Sequence, residues 1–365
     1  MCAWLAINLS AKLSMNLPLL PWAVLALAVG SLVSAACAQP AVNEARQWLE
    51  RMINASQNLN YEGTFIYLQG PHVEAMRIVH GRTSAGDRQR LISLTGPPRD
   101  ILVTSNALIS LLPAPKATLV DGAYRHSHLP VSVAGDLDRL ENRYDFQIEG
   151  ESRVAGLDAR VVAIKPRDAL RYGYRLWLDR RDGVLLRSAL LDEKGYPIEQ
   201  LMFTDIHIKP QIDEALLQPP LAAANPENPE VQPTPQPAVG AGEAPLEPAV
   251  VQSAWSVTRV PEGFVKILHN RVADAAGQHP TEHMVFADGL ATVSVFIERL
   301  DGAAPLLQGE SRLGSMNAFG TRLDNFQILV VGEVPAATVQ TIASAISYAP
   351  ENAPSPASPA REVKK

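Results

Sequence analysis

The sequence predicts an α+β protein built on antiparallel sheet curled around an apolar interior, and three observations lead to this class. Short segments rich in aromatic and β-branched residues alternate apolar and polar positions. Turns containing glycine and proline separate these segments at short intervals. Only a few stretches have the apolar spacing of a helix. Many short strands with few helices indicate a curved antiparallel sheet rather than a parallel one.

The strongest strand pattern is RYGYRLWLD, at residues 171–179, which a turn at 181–183 connects to a second strand beginning at Val184. Side chains alternate between the two faces of a strand. One face therefore contains Tyr172, Tyr174, Leu176 and Leu178. The other contains Arg171, Arg175 and Asp179, with the amphipathic side chain of Trp177 among them. The pattern predicts a half-buried strand with one apolar and one charged face.

The other elements follow from the same two periodicities. Apolar residues at helical spacing predict a first helix between Pro40 and Asn60. A short helical stretch near 133–142 interrupts the strands that follow, and a last helix is predicted from Pro335 to about Tyr348. The remaining predicted strands are 61–69, 73–80, 89–95, 100–104, 107–112, 117–121, 144–152, 157–165, 197–208, 255–260, 266–270, 282–287, 291–299 and 326–333.

Composition divides the chain of 365 residues into two domains. Between Gln218 and Ser253, nine of 36 residues are proline, and none is lysine, arginine or aromatic. Such a segment buries too little surface to offset its ordering entropy, so residues 218–253 are predicted to be a linker. We expect a first domain at 40–217, a smaller second domain at 254–349, and a disordered Pro/Ala/Ser tail at 350–365.

The first 38 residues resemble a secretory signal. Lys12 precedes an uncharged apolar run at 17–33, and Ala36-Cys37-Ala38 forms an A-x-A cleavage pattern before Gln39. The sequence therefore predicts a cleaved signal peptide at residues 1–38 and an exported protein. Two alternatives stay open, because the apolar run is long enough for an uncleaved anchor and Cys37 is placed for lipid modification.

Cysteine content and charge exclude several functional classes. Cys2 and Cys37 are the only cysteines, so cleavage after Ala38 leaves no disulfide, thiol nucleophile or cysteine-bound metal. Loss of Lys12 leaves 31 basic and 38 acidic residues, a net charge of −7. A mildly acidic chain without a basic cluster is a poor nucleic-acid binder.

One enzyme-like pattern occurs, at His279-Pro280-Thr281-Glu282-His283, which matches H-x-x-E-H of the inverted zincins. That chemistry requires both histidines on one helical face, whereas Pro280 favours a loop leading into a strand. His126 and His128 lack a nearby cysteine or acidic ligand and are interpreted as surface histidines. The prediction is therefore a non-enzyme without metal or cofactor.

Several longer strings stand out along the chain, namely YEGTFIY, MRIVHG, GPPRD, RYGYRLWLD, GVLLRSALLDEKGYPIEQLMFT, PEGF, DGLATVSVFIE and GEVPAATVQTIASAI. Together these strings resemble the RseB/MucB family of periplasmic negative regulators of an envelope-stress sigma factor. The strings are ordered along residues 41–349 and occur in both predicted domains. The resemblance implies a lipoprotein-carrier-like first domain, which is a half-open antiparallel β-barrel with a helical plug, and a small α+β second domain.

The resemblance also implies a function. The family binds the periplasmic tail of an inner-membrane anti-sigma factor and shields it from the site-one protease, and lipid-bearing stress signals release it. Lipopolysaccharide, acyl chains and mislocalised lipoproteins are the ligands that this function suggests, and self-association stays open. The alternative, from another class, is a periplasmic carrier of lipid or lipoprotein.

Two sets of site residues follow from side-chain type and face. An apolar barrel face with a helical lid predicts an acyl-chain site at Trp48, Met52, Tyr172, Tyr174, Leu176 and Leu178, although the same residues suit a closed core. In the second domain, Phe296 lies among polar residues of an alternating strand, so Phe296, Glu298 and Arg299 are predicted to contact the protein partner. The alternative for Phe296 is cover by a loop or by the other domain.

Overall fold

The computed structural model describes residues 41–83, 86–104, 108–111, 136–218, 253–272, 281–300 and 307–349, all within one compact unit, Gln39–Lys365. The predicted signal peptide, most of the predicted linker and the tail lie outside the described residues, as do the predicted strand at 117–121, His126, His128 and His279. Among the described helices, none combines the length and apolar character needed to cross a bilayer.

In the first part of the chain, the described residues form helix α1 (Ala41–Asn58), a short helix α2 (Leu137–Glu141) and ten strands. A 3₁₀ turn at Glu214–Leu217 follows them. The strands are β1 (Asn60–Gln69), β2 (His72–Thr83), β3 (Gly86–Ser93), β4 (Asp100–Thr104), β5 (Leu108–Leu111), β6 (Tyr144–Val154), β7 (Leu157–Pro166), β8 (Gly173–Asp179), β9 (Leu185–Leu191) and β10 (Pro197–Lys209).

These ten strands form one antiparallel sheet in the order β5-β4-β3-β2-β1-β10-β9-β8-β7-β6. The first and last strands, β1 and β10, pair in its centre, with a bulge between Thr64 and Phe65. Gly63 lies beside this bulge, where a Cβ atom would collide with the carbonyl oxygen of Asp205. Bulges increase strand twist, and the sheet curls into a half-barrel whose outer strands, β5 and β6, do not pair with each other.

Helix α1 packs on the curved face of this sheet. Ala45, Leu49, Met52 and Ala55 recur at helical spacing and are buried. The first three join Leu176, Leu178 and neighbouring apolar side chains in one core cluster, and Ala55 joins a second cluster around Phe65 and Phe203. Each fully buried leucine stabilises the fold by about 1.5–3 kcal/mol.

The second part of the chain contains a six-stranded antiparallel sheet in the order β12-β13-β14-β17-β16-β15. Helix α3 (Ala336–Ala343) covers one face of it, where Val295, Val330 and Ile342 are buried in a common core. A two-stranded ribbon pairs β11 with β18. The strands are β11 (Trp255–Val257), β12 (Val265–Val272), β13 (Thr281–Ala287), β14 (Thr292–Arg299), β15 (Gly309–Leu313), β16 (Met316–Leu323), β17 (Phe326–Gly332) and β18 (Ile346–Tyr348).

The predicted α+β class with a curled antiparallel sheet is confirmed, but three local predictions are wrong. Helix α3 ends at Ala343 rather than near Tyr348, because Ile346–Tyr348 pairs with β11. The hairpin of β15 and β16 is absent from the predictions, since its burial does not alternate. The strand at 171–179 is not half-buried with one charged face, because Arg171 and Asp179 are buried as well.

Candidate functional site at the junction of the two sheets

The most strongly built polar site lies where the ten-stranded sheet meets the six-stranded sheet, and we call it the junction. Its centre is an ion pair between Arg171, just before β8, and Asp288, just before β14. Arg171 Nη1 lies 2.6 Å from Asp288 Oδ2, and both side chains have no exposed surface. A buried ion pair requires full hydrogen bonding to offset the desolvation of both charges.

Every oxygen of the Asp288 carboxylate has hydrogen-bond donors. Oδ2 accepts from the Tyr144 hydroxyl at 2.9 Å in addition to Arg171. Oδ1 accepts from the backbone amides of Leu290 and Ala291 at 3.0 and 2.8 Å, which places Asp288 at the start of the turn before β14. Burial, followed by the charge of Asp288, raises the pKa of the Tyr144 hydroxyl, so this hydroxyl remains a donor at neutral pH.

The Arg171 guanidinium also has hydrogen-bond acceptors in addition to Asp288, and two aromatic rings lie beside it. Nη2 donates to the Glu262 carbonyl at 2.5 Å, and Nε donates to Asp168 at 3.1 Å. The guanidinium carbon lies 5.1 Å from the Phe264 ring centroid and 5.8 Å from that of Tyr144. Two of the sequence strings noted above, RYGYRLWLD and DGLATVSVFIE, thus begin with residues that bind each other across 117 positions of the chain.

Neutral hydrogen bonds extend the junction beside the ion pair. Asn317 Nδ2 donates to the Tyr172 hydroxyl at 2.8 Å and to the Val334 carbonyl at 2.7 Å. Thr338 Oγ1, in the first turn of α3, donates to the Leu170 carbonyl at 2.6 Å. The segment that leads into β8 is therefore bonded to both β16 and α3 of the second part of the chain.

Replacing Asn317 by alanine tests the neutral half of the junction. Asn317 is buried, and its loss leaves the Tyr172 hydroxyl and the Val334 carbonyl without this donor. We expect the free energy of unfolding to fall by about 1–3 kcal/mol, the cost of unsatisfied buried polar groups. Urea denaturation followed by tryptophan fluorescence measures this loss. Asn325→Ala, at an exposed position, is the control; equal stability of the two variants would contradict the assignment.

A second polar contact of the junction joins two carboxylates through one serine. Ser315, in the turn between β15 and β16, is fully buried. Its Oγ lies 2.9 Å from Glu199 Oε2 on β10 and 2.5 Å from Glu333 Oε1 after β17, and it accepts from Gln69 Nε2 at 3.0 Å. Burial, followed by the charge of Glu333, raises the pKa of Glu199.

The six residues predicted as an acyl-chain site do not form one open surface. Met52, Leu176 and Leu178 lie in the core cluster beneath α1, with Trp48 and Tyr174 packed partly buried against it. Arg51 covers the Trp48 ring, with its guanidinium carbon 4.2 Å from the ring centroid. Tyr172 lies apart from this cluster, at the junction, bonded to Asn317. The acyl-chain site stays a prediction.

The three residues predicted to contact the partner lie along β14. Phe296 stacks on His283 of β13 with ring centroids 4.4 Å apart and planes inclined by 7°. Glu298 is half-buried beside Thr281, and Arg299 is exposed at the end of the strand. Burial lowers the pKa of His283. This face lies opposite the face that α3 covers, and its contact with a partner stays a prediction.

The H-x-x-E-H pattern does not have zincin geometry in its described part, because Glu282 and His283 are neighbours on β13 and point to opposite faces. Glu282 is bound by Arg271 at 2.6 Å, His269 at 2.7 Å and Ser253 at 3.0 Å. Among the described residues, no group of three or more histidine, cysteine or acidic side chains is arranged to hold a metal.

Sequence reasoning missed Asp288, Glu199, Glu333 and Ser315 as members of the junction. It also placed Arg171 on an exposed charged face. One signal was present: Arg171 and Asp288 are charged residues inside long strings that are otherwise dominated by apolar and aromatic side chains. The pairing of the two strings could not be recognised, because no local pattern connects positions more than a hundred residues apart.

Comparison with known proteins agrees with the two-part architecture. Residues 44–221 match the family of the MucB/RseB N-terminal domain, and residues 249–347 match that of the MucB/RseB C-terminal domain. The chain is 34% identical over 334 residues to the sigma factor AlgU regulatory protein MucB of Pseudomonas aeruginosa, covering 90% of this chain and 98% of the relative. It is 29% identical over 329 residues to the sigma-E factor regulatory protein RseB of Escherichia coli, with the same coverage.

Solved structures show the same similarity. The structure of the Pseudomonas aeruginosa MucA/MucB complex superposes with a TM-score of 0.65 at 30% identity, covering 84% of this chain and 99% of that chain. A crystal structure of MucB in complex with MucA(peri) gives a TM-score of 0.62 at 29% identity, covering 84% of this chain and 99% of that chain.

Proposed function

Because the chain belongs to the MucB/RseB family, we propose that it is a periplasmic negative regulator of an extracytoplasmic-stress sigma factor. It binds the periplasmic part of a membrane anti-sigma factor and shields that part from site-one proteolysis. The observation that carries this proposal is the similarity along both domains to proteins named as sigma factor regulators, one of them solved in complex with MucA(peri). We propose no catalytic role for it.

Export through a cleaved signal peptide fits this function. A protein that binds the periplasmic tail of a membrane protein must itself reach the periplasm, and the A-x-A pattern before Gln39 supports cleavage at that position. Mass spectrometry of the protein purified from the periplasm tests this directly. A mature chain beginning at Gln39 is expected; a lipidated Cys37 or an intact N terminus would contradict it.

Lipid release requires that ligand and partner prefer different conformations. Met52, Leu176 and Leu178 are buried against each other, so an acyl chain can reach them only if α1 moves from the curved face. Each buried methylene contributes about 0.8 kcal/mol, so half of a long acyl chain supplies several kcal/mol toward this displacement. Tyr172, bonded to Asn317, connects β8 to the second sheet and supports transmission of the movement.

The function is tested by adding the exported chain to the periplasmic segment of the anti-sigma factor encoded beside it, together with the site-one protease. We expect a stoichiometric complex burying on the order of 1,000 Å² or more, and cleavage that slows as the complex forms. Lipopolysaccharide or a lipopeptide should restore cleavage. Unchanged cleavage at a saturating concentration of this protein would contradict the proposal.

The partner-binding residues are tested in the same assay. We expect Phe296→Ala to weaken the complex by about tenfold or more, because aromatic residues at the centre of an interface commonly cost over 1 kcal/mol when truncated. Phe319→Ala is a matched control, since Phe319 lies on β16 and packs against the core of the second sheet. Equal affinity of Phe296→Ala and the wild type would exclude this face.

The alternative function is a periplasmic lipid or lipoprotein carrier. A carrier needs only the first domain, whereas the junction binds the second domain with a fully buried ion pair and several hydrogen bonds. Transfer of lipid cargo between membranes, without any binding to the anti-sigma segment, would favour the carrier.

A further inference from the structure

The hydrogen bonds from Ser315 to Glu199 and from Ser315 to Glu333 cannot both form unless one of the two carboxyl groups carries a proton. A serine hydroxyl has one hydrogen and can donate to one acceptor. Ser315 Oγ lies within hydrogen-bond distance of a carboxylate oxygen of each glutamate and already accepts from Gln69 Nε2. One hydroxyl hydrogen serves only one of the two carboxylates. The second contact requires a hydrogen on a carboxyl group, so the pair is complete when it carries one proton.

The surroundings also disfavour two negative charges. Tyr67 of β1 forms a side-chain hydrogen bond with Glu199, Gln69 Nε2 lies 3.5 Å from Glu199 Oε2, and Tyr174 of β8 lies near both glutamates. These partners are neutral, so none of them offsets a second negative charge. Glu74 of β2 pairs across the sheet with Tyr67. Glu74 is neutralised by an ion pair with Arg99. Burial, followed by the charges of Glu333 and Glu199, raises the pKa of Tyr174, so Tyr174 stays neutral.

The described residues of the second sheet also supply no ion pair that would neutralise Glu199 or Glu333. Arg312, on β15 near the same turn, donates to the Gly314 carbonyl. Among the described residues, no lysine or arginine forms an ion pair with Glu199 or Glu333. Two like charges that approach one buried oxygen without a counter-ion repel each other strongly, because the local dielectric constant is low.

We propose that Glu199, Ser315 and Glu333 form a proton-dependent lock between the two sheets, closed when the glutamate pair holds one proton and open when both glutamates are charged. Glu199 belongs to β10 of the first sheet, whereas Ser315 and Glu333 belong to the second. Repulsion therefore acts across the junction and separates the β15–β16 turn from β1 and β10. Neither the partner nor a lipid is a component of this lock.

The sign of the pH dependence follows from linkage. The folded pKa of Glu199 is raised above its unfolded value, so the closed state binds more protons than the open state. The proton therefore stabilises the closed state. This stabilisation is fully present at pH values below the pKa that Glu199 has in the unfolded chain, and it is lost as the pH rises through the pKa that Glu199 has in the folded protein. Within that window, the ratio of closed to open protein falls by up to about tenfold per pH unit for one proton.

The test measures the distance between the two sheets in the full chain. The mature chain that begins at Gln39 contains no cysteine. Lys194→Cys, in the turn between β9 and β10, and Arg322→Cys, on β16, therefore place spin labels at two exposed positions, one beside each sheet. Pulsed electron–electron resonance then reports the distance distribution between pH 5 and pH 9. We expect one short distance at pH 5 and a growing longer population toward pH 9.

Glu199→Gln supplies the same shape without the charge, so this variant should keep the short distance at every pH. Glu333→Gln tests the lock from the second sheet, in case Glu199→Gln folds poorly. Glu193→Gln, at an exposed position near β10, should behave as the wild type. A wild-type distance that is constant across this range, or a Glu333→Gln transition identical to the wild type, would overturn the proposal.

Discussion

Replacing Arg171 by methionine is expected to lower the free energy of unfolding by about 3–5 kcal/mol, the typical cost of leaving one partner of a buried ion pair uncompensated. The Asp288 carboxylate has no exposed surface, and loss of Arg171 leaves it with hydrogen bonds from Tyr144 and two backbone amides but without a counter-ion. The two sheets should then unfold in separate steps, because the same arginine also binds the Glu262 carbonyl. Urea denaturation followed by tryptophan fluorescence and by circular dichroism detects both effects.

Arg175→Met is the matched control for this prediction. Arg175 lies four residues away and pairs with Glu149 at 2.5 Å, but its side chain is 39% exposed. Solvent screens such a pair, so we expect a loss below about 1 kcal/mol. The double variant Arg171→Met/Asp288→Leu should recover much of the stability, because apolar residues replace a buried ion pair at little cost. Similar losses for Arg171→Met and Arg175→Met would show that the junction does not depend on the buried charges.

Replacing Leu49 by alanine is expected to cost about 2–5 kcal/mol of stability, through lost burial and the cavity that remains. Leu49 has no exposed surface and lies in the core cluster of α1 with Leu176 and Leu178. Apolar cavities of this kind bind small apolar molecules. A fluorescent acyl probe should therefore bind Leu49→Ala more tightly than the wild type, since less of the helix contact must be displaced.

Thermal and urea unfolding measure the stability loss, and fluorescence titration measures the probe. Gln57→Ala, at an exposed position of the same helix, should change stability by less than about 0.5 kcal/mol and leave probe binding unchanged. If Leu49→Ala were destabilised but bound the probe no better than the wild type, α1 would not be the barrier to the predicted acyl-chain site.

Local periodicity explains why much of the fold could be predicted. Ala291, Val293, Val295 and Ile297 alternate with polar positions, and all four are buried on one face of the second sheet. Helix α1 covers nearly the predicted span, because its buried residues recur at helical spacing. In both cases the information lies within one turn or one strand, so a short window of sequence contains it.

The errors occur where a distant segment decides the local structure. The sequence QTIASAISY continues the helical pattern of α3 into β18, but Ile346–Tyr348 pairs with Trp255–Val257 from far earlier in the chain. β15 is largely exposed, so no buried alternating face marks it. Propensity is a weak determinant in such segments, and tertiary pairing overrides it.

The sequence alone predicts an export signal and a two-domain division, and it indicates the antiparallel class and the family, because each depends on composition, periodicity or long contiguous strings. The junction depends on the tertiary structure. Arg171 meets Asp288, and Glu199 meets Glu333, only after two sheets have formed and packed together. Burial turns ordinary charged residues into a buried ion pair and a proton-sharing pair, since desolvation and neighbouring charge act through space and not along the chain.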